Sequence, residues 1–315
     1  MNVFYNIEDI LRDEKTCLTV GTFDGVHLGH QKIINEMIFK SVEDSCRNLV
    51  ITFHPHPQIV LAKSNNIKIL STLEQKLLYF KLLMIQNVLV INFTREFAEL
   101  NFKDFIEKIL INKIGLHTII IGKDHHFGKN REGNASALKK LAPVHNFKVI
   151  EVNPLNFGDS KISSTKIRHA LLSGDIENAT KMLGKKYEIR GKVIRGDQRG
   201  KRIGFPTANI ISDDIHKLIP ARGVYLVEVD VRKNQYYGMM NIGTRPTVNN
   251  ANELIMEVHI FYFNEEIYDE PIAVRFIDRI RDEKKFDSIE ELRNQLLKDK
   301  EFCFNRIESL RVFTD

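Results

Sequence analysis

Cysteine is scarce in this chain, with three residues in 315: Cys17, Cys46 and Cys303. They are scattered, odd in number and form no C-x-x-C pair, which argues against a disulfide framework and against a zinc site, and leaves them as packing residues. Long apolar runs are missing too. None approaches the roughly 20 residues needed to span a bilayer, and the N-terminus, with Glu8, Asp9 and Asp13, lacks the basic-then-apolar layout of a signal peptide. The expectation is a cytoplasmic protein with no membrane partner. Charge of one sign is not massed anywhere: 46 basic and 41 acidic residues are interleaved, for a net charge of +5. That balance suits anionic small ligands better than a nucleic-acid duplex. The chain also has no internal repeat and no low-complexity tract.

What remains is an ordinary globular composition, 43% hydrophobic and 28% charged, on a length that fits two domains. From Cys17 to about Val152, short β-branched runs alternate with helical patterns. Cys17 to Val20, Leu49 to Phe53, Val88 to Ile91, Thr118 to Ile121 and Phe147 to Ile150 read as parallel strands buried on both faces. Gln31 to Lys40, Leu73 to Ile85 and Phe102 to Ile111 read as helices. This alternation predicts a doubly wound, Rossmann-like α/β sheet whose ligands sit outside the carboxyl ends of the strands.

Chemistry-bearing residues follow those strands. After the first comes Gly21-Thr22-Phe23-Asp24-Gly25-Val26-His27-Leu28-Gly29-His30 on a strand-to-helix turn, where glycines admit close approach and the first helical turn offers free N–H groups to a phosphate. His27 and His30, three apart, share one side of that turn and can stabilise charge building at a phosphorus. A helix cap at His27 with a surface His30 is the plainer alternative. After the second strand, two prolines stiffen Phe53-His54-Pro55-His56-Pro57; after the fourth comes Gly122 to Gly133, with Asp124, His125, His126, Phe127 and Gly128. Consecutive side chains on an extended segment point apart, which disfavours a metal at His125 and His126. Farther on, Ile162-Ser163-Ser164-Thr165-Lys166-Ile167-Arg168 opens a helix with hydroxyls and two cations, an ordinary cap or a second anion site.

Near Met182 to Lys186 the pattern changes. Tyr187 to Val193, Val224 to Val231, Tyr236 to Asn241, Leu254 to Phe261 and Ile272 to Ile280 alternate as antiparallel strands do, with turns at Lys233-Asn234 and Asn249-Asn250. They predict a small closed β-barrel followed by one helix from Ser288 to Leu310, with Ile289, Leu292, Leu296 and Leu297 inward. The predicted domains are therefore 1–184 and 185–315. In the second, Gly196, Gly200 and Gly204 punctuate a basic loop (Arg199, Lys201, Arg202) that is not a P-loop, the G-x-x-x-x-G-K-S/T order being absent. It runs into Gly204-Phe205-Pro206-Thr207-Ala208-Asn209, which by itself could be only a tight turn before a strand. Glu257 lies in an otherwise apolar strand, where a carboxylate is costly unless paired, for instance with Arg275, or functional.

Gly21 to His30 resembles the first signature of the nucleotidyltransferase superfamily, and Ile162-Ser163-Ser164-Thr165 with Ile167-Arg168 resembles its second. Gly204 to Asn209, Gly223-Val224-Tyr225, Asn241 to Thr247 and Met256 to Ile260 are similar to riboflavin kinase motifs. In order, they make the chain resemble the bacterial bifunctional riboflavin kinase/FAD synthetase family from about residue 1 to 310. The resemblance implies riboflavin, FMN, FAD and ATP as substrates and products, with Mg2+ on the triphosphate. It implies ATP contacts by Gly21, Phe23, His27, Gly29, His30, Ser164, Thr165 and Arg168, and flavin contacts by Asp124, Phe127 and Gly128, with His125 where the family usually has an aromatic residue. In the second domain it implies ATP contacts by Gly196, Gly200, Gly204, Pro206, Thr207 and Asn209, metal contacts by Thr207 and Asn209, and Glu257 as the base; Arg279 to Phe286 and the helix after it match the segment that covers the flavin. Two rivals are a nucleotidyltransferase for another acceptor with a flavin-binding regulatory domain, and an RNA-binding protein. The first is opposed by Gly204 to Asn209 with Glu257, the second by the lack of a basic run or aromatic platform.

Overall fold

The five apolar runs of the first half are strands of one parallel sheet. The computed structural model describes residues 1–61, 67–125, 127–129, 132–196, 200, 203–246 and 252–312. His126, Arg199, Lys201, Arg202, Thr247 and the Asn249-Asn250 turn, all named from the sequence, lie outside the described residues. The chain divides into two units, Met1–Ser164 and Thr165–Asp315.

In the first unit the strands are β1 (Asn2–Phe4), β2 (Thr16–Val20), β3 (Arg47–His54), β4 (Asn87–Asn92), β5 (Leu116–Gly122) and β6 (Lys148–Val152), ordered β1-β4-β3-β2-β5-β6. Every pairing in this sheet is parallel. One core cluster holds Leu18, Leu49, Ile51, Leu89, Ile119 and Ile121 and the other holds Cys17, Val50, Val88, Val90 and Ile120. Neighbouring strand residues point to opposite faces, so both faces of the sheet are buried, and continuous apolar runs are what such strands require. The helix Leu28–Glu43 follows β2, and the capping box Thr72/Gln75 starts Leu73–Leu82. The helix expected over Phe102 to Ile111 continues to Ile114 with π spacing from Phe105. A two-strand hairpin, β7 (Asn156–Phe157) and β8 (Ser160–Lys161), precedes the helix Ser164–Ser173.

The second unit is a closed barrel of β9 (Glu188–Ile194), β10 (Ala208–Ser212), β11 (Gly223–Val231), β12 (Asn234–Pro246), β13 (Asn252–Ile260) and β14 (Pro271–Arg281), in the order β10-β13-β12-β11-β14-β9. Arg232 and Lys233, both at positive φ, form the two-residue corner between β11 and β12. This is the primed turn geometry that matches strand twist, one residue earlier than the predicted turn. The helix Ile289–Val312 follows the barrel, and its inward face matches the expected one at Leu296 but not at Ile289 or Leu297. Ile289 and Leu297 are exposed, while Cys303 and Ile307 are buried and Leu296 and Phe304 pack beside them against Phe205, Val224, Leu226 and Met239. Asp299, 2% exposed, shares this face, and its carboxylate accepts from Arg281 Nε at 3.0 Å and Nη2 at 2.8 Å.

Candidate active sites

In the first unit the turn after β2 is held by groups distant in sequence. Phe23 and Val26 both take positive φ, a strained choice for residues with bulky side chains that survives only where the surroundings enforce it. The buried Asp24 carboxylate supplies the enforcement. It accepts from Leu70 N at 2.9 Å and Ser71 N at 3.0 Å, and Ser71 Oγ in turn accepts from Gly25 N at 2.9 Å. Ser164 Oγ donates to the Asp24 carbonyl at 3.0 Å, which ties the second signature to the first. Lys76, 4% exposed, points its ammonium at Thr22 O (3.2 Å), Phe53 O (3.3 Å) and Thr52 Oγ1 (3.4 Å). Burial pushes its pKa down to about 8. Ser71 and Lys76 were not legible in the sequence, since they sit 23 to 54 residues from their partners.

Removing the Asp24 carboxylate would leave buried backbone donors without it. Asp24→Ala is expected to destabilise the first unit by about 3 kcal/mol, the scale for hydrogen bonds to a buried charged group. Urea unfolding would read it, and a loss under about 1 kcal/mol would contradict this bracing role.

His27 and His30 are brought together as their spacing predicts. Their rings stack with centroids 3.6 Å apart and an interplanar angle of 16°, and the edge of Phe23 approaches His30 at 5.3 Å. His27 is also the N-cap of Leu28–Glu43: its Nδ1 accepts from His30 N at 3.3 Å. The plain reading of His27 as a cap is thus correct in geometry, and it is compatible with chemistry because accepting at Nδ1 places the ring proton on Nε2. A Cβ on Gly29 would stand 3.1 Å from His27 Cε1, so the ring leaves little room there for a side chain. Ser164 and Thr165 open the helix Ser164–Ser173, and Arg168 lies on its second turn.

A cavity of about 620 Å³ lies at the carboxyl ends of β3, β4 and β5. Gly21, Thr22, Asp124, His125, Phe127 and Gly128 line it, joined by the aromatic cluster Phe53, Phe93, Phe97 and Phe105. An apolar, aromatic cleft with few polar groups is the usual form of a site for a planar ligand. The His125 ring is tilted 31° from Phe127 at 5.5 Å and lines this wall. Lys161 Nζ holds Asp124 at 2.9 Å.

In the second unit the register decides the site. Asn209 on β10 pairs with Glu257 on β13, and Glu257 pairs with Asn241 on β12, so the three side chains stand in one row across three strands. The alternative pairing of Glu257 with Arg275 is not what the barrel does. Arg275 lies opposite Glu188 and Glu228, and its guanidinium binds Asp230 (2.7 Å), Glu228 (3.2 Å) and Glu188 (3.3 Å). Asn241 was quoted from the sequence without a role, because only register places it beside Glu257. Glu283 lies close by, its Oε1 accepting from Thr244 N at 3.3 Å.

The Gly204 to Asn209 segment turns at Gly204, whose φ is +82°, and Phe205 N bonds Gly200 O at 2.9 Å. His259 Nδ1–H donates to Pro206 O at 2.8 Å, and burial pushes the His259 pKa down, which keeps the ring neutral. The predicted glycines serve as contact surfaces. A Cβ on Gly196 would fall 2.1 Å from Asn209 Nδ2, and one on Gly200 would fall 2.2 Å from Phe205 O and 3.4 Å from Thr207 Oγ1. Pro206 and Thr207 border a cavity of about 250 Å³ that Asn209 and Glu257 do not line.

The family model for FAD synthetase matches residues 9–166, and the one for riboflavin kinase matches residues 183–306. A bifunctional riboflavin kinase/FMN adenylyltransferase of Buchnera aphidicola from Schizaphis graminum is 38% identical over 299 residues, 94% of each chain. The chain belongs to this family. The Bacillus subtilis member is likewise 38% identical, over 302 residues and 94% of each chain. A crystal structure described as a macrolide-efflux protein from Streptococcus pneumoniae shares the fold, with a TM-score of 0.87 and 33% identity over 96% of this chain and 98% of that one. Among the described residues no helix is long and apolar enough to cross a membrane. The family's two models fall in order on the parallel-sheet half and the barrel half, and neither rival reading is favoured.

Proposed function

We propose that this chain phosphorylates riboflavin to FMN in its second module and adenylylates FMN to FAD in its first, the modules running over 1–184 and 185–315. The observation that carries the reading is the pair of differently built polar sites in one chain: the stacked His27/His30 turn, and the Asn209–Glu257–Asn241 row beside a glycine cradle.

In the kinase module Glu257 takes the proton of the ribityl 5′-hydroxyl as that oxygen attacks the γ-phosphorus of ATP, and ADP leaves. Gly196, Gly200, Gly204 and Pro206 shape the nucleotide contact. Thr207 and Asn209 offer a hydroxyl and an amide oxygen, hard neutral donors that fit Mg2+, and Gly196 lets the backbone approach the Asn209 amide more closely than any side chain would allow. When bound, Mg2+ would neutralise charge on the triphosphate. In the adenylyltransferase module an oxygen of the FMN phosphate attacks the α-phosphorus of a second ATP, and pyrophosphate leaves. His27 and His30 stabilise the charge at that phosphorus, Gly21, Phe23 and Gly29 shape the turn, and Ser164, Thr165 and Arg168 hold the β and γ phosphates. Asp124, Phe127 and Gly128 contact the flavin in the 620 Å³ cavity, with His125 in place of an aromatic face. Both reactions draw on soluble small-molecule substrates, which supports a cytoplasmic location.

The test is a time course of purified protein with riboflavin, ATP and Mg2+, with the flavins separated by chromatography. FMN first and FAD after it is the expected order. FMN accumulating alone would overturn the adenylyltransferase assignment, and no conversion would overturn both.

A further inference from the structure

The amino ends of the parallel strands gather the thiols that the sequence scattered. Cys17 is the second residue of β2, Cys46 immediately precedes β3, and His117 is the second residue of β5. Because β3 and β5 flank β2 in the sheet, three residues up to 100 positions apart meet at one corner. The two sulfurs and an imidazole nitrogen all lie within 4.8 Å of one another. Cys46 Sγ is 3.7 Å from His117 Nδ1, and Asp44 Oδ2 is also 3.7 Å from that nitrogen. Zinc–sulfur bonds near 2.3 Å and zinc–nitrogen bonds near 2.0 Å at a tetrahedral angle put sulfur and nitrogen about 3.5 Å apart, so this spacing is that of ligands around one ion.

We propose that Cys17, Cys46 and His117, with Asp44 as the fourth ligand, form a structural site for a thiophilic divalent cation of the zinc class. The donor set of two thiolates, one imidazole and one carboxylate is of the kind zinc takes, and soft sulfur ligands select it over Mg2+ or Ca2+. Binding exchanges the two S–H protons for two metal–sulfur bonds, with no change of oxidation state; the two thiolates balance the charge of the ion, and the Asp44 carboxylate leaves the site with one negative charge beside Lys148. Cys17 is fully buried, whereas the side chains of His117 and Asp44 are 30% and 22% exposed, which gives the ion a way in. His117 Nδ1 lies 2.9 Å from Thr118 Oγ1, and Asp44 Oδ2 accepts from Lys148 Nζ at 3.2 Å. Those two contacts orient the ligands and must loosen when the ion enters. The site lies at the opposite end of β2 from Gly21 to His30, so its effect is to clamp three strands together, away from the reacting phosphates.

Cobalt(II) titrated into the reduced full-length protein tests this directly. One equivalent should produce the thiolate-to-cobalt charge-transfer band and the visible bands of a tetrahedral ion, and zinc(II) should displace it. Zinc should also raise the thermal midpoint, because it binds only the folded arrangement. Cys46→Ser and His117→Gln, at partly exposed positions chosen to keep the fold, should each weaken cobalt binding at least about tenfold, the lower end of what disturbing a metal's ligand surroundings costs. Cys303→Ser, in the other unit, should leave it unchanged. Circular dichroism checks that each variant is folded. No charge-transfer band in the parent protein, or the same band and affinity in folded Cys46→Ser or His117→Gln, would overturn the site.

Discussion

Glu257→Gln is expected to slow FMN formation by about 10²- to 10⁴-fold while FAD formation from supplied FMN is unchanged. Glutamine keeps the shape and the acceptor oxygen of glutamate and loses only the capacity to take a proton. Its register neighbours on both sides are asparagines, whose neutral amides cannot replace a base. Arg275, the ion-pair partner weighed from the sequence, is committed to Asp230, Glu228 and Glu188, so the substitution breaks no salt bridge with it. The loss should therefore fall on kcat with little change in KM for ATP, as it does when an interaction made in the transition state is removed. Steady-state kinetics of riboflavin phosphorylation, beside an FMN-to-FAD assay on the same preparation, make the measurement. A loss under about tenfold would remove Glu257 from the role of base, and a parallel loss of FAD formation would contradict two independent sites.

What could be read from the sequence was what local spacing controls. The strands of the parallel sheet announce themselves as continuous apolar runs because both faces are covered, and the stacked histidines follow from a three-residue step at a helix start. Strand β10 did not announce itself. It is five residues, Ala208–Ser212, too short for alternation to register, and its identity depends on pairing with β13 and β9. The inward face of Ile289–Val312 was legible only in part, for Leu296 lies on it while Ile289 and Leu297 are exposed. Its continuation through Asp299, Cys303 and Ile307 was hidden, because a carboxylate that is buried only through its bond to Arg281 does not read as an inward position. The supports of the first site, Ser71 and Lys76, and the neighbour of the second, Asn241, are matters of long-range contact. A motif names the residues at the phosphate; tertiary structure names those that hold them there.

His30→Ala should reduce FAD formation from FMN by about 10²- to 10³-fold, the usual effect of losing one donor aimed at developing negative charge, and should leave FMN formation intact. The comparison with His27→Ala makes the test sharper. His27 has two functions, since its Nδ1 caps the helix Leu28–Glu43 while its Nε2 carries the ring proton. Its removal should cost activity and about 1 kcal/mol of stability, the usual penalty for losing a cap. In the cap only the backbone N–H of His30 takes part, and alanine keeps that group. His30→Ala should thus lower the rate with a smaller fall in unfolding midpoint than His27→Ala, which loses the cap as well. If His30→Ala retained FAD formation within tenfold of the parent, the stacked pair would be a folding device and the charge at phosphorus would have to be met by other groups. If both variants lost stability equally and rate in proportion, the histidines would act only by shaping the turn that Asp24 and Lys76 brace from below.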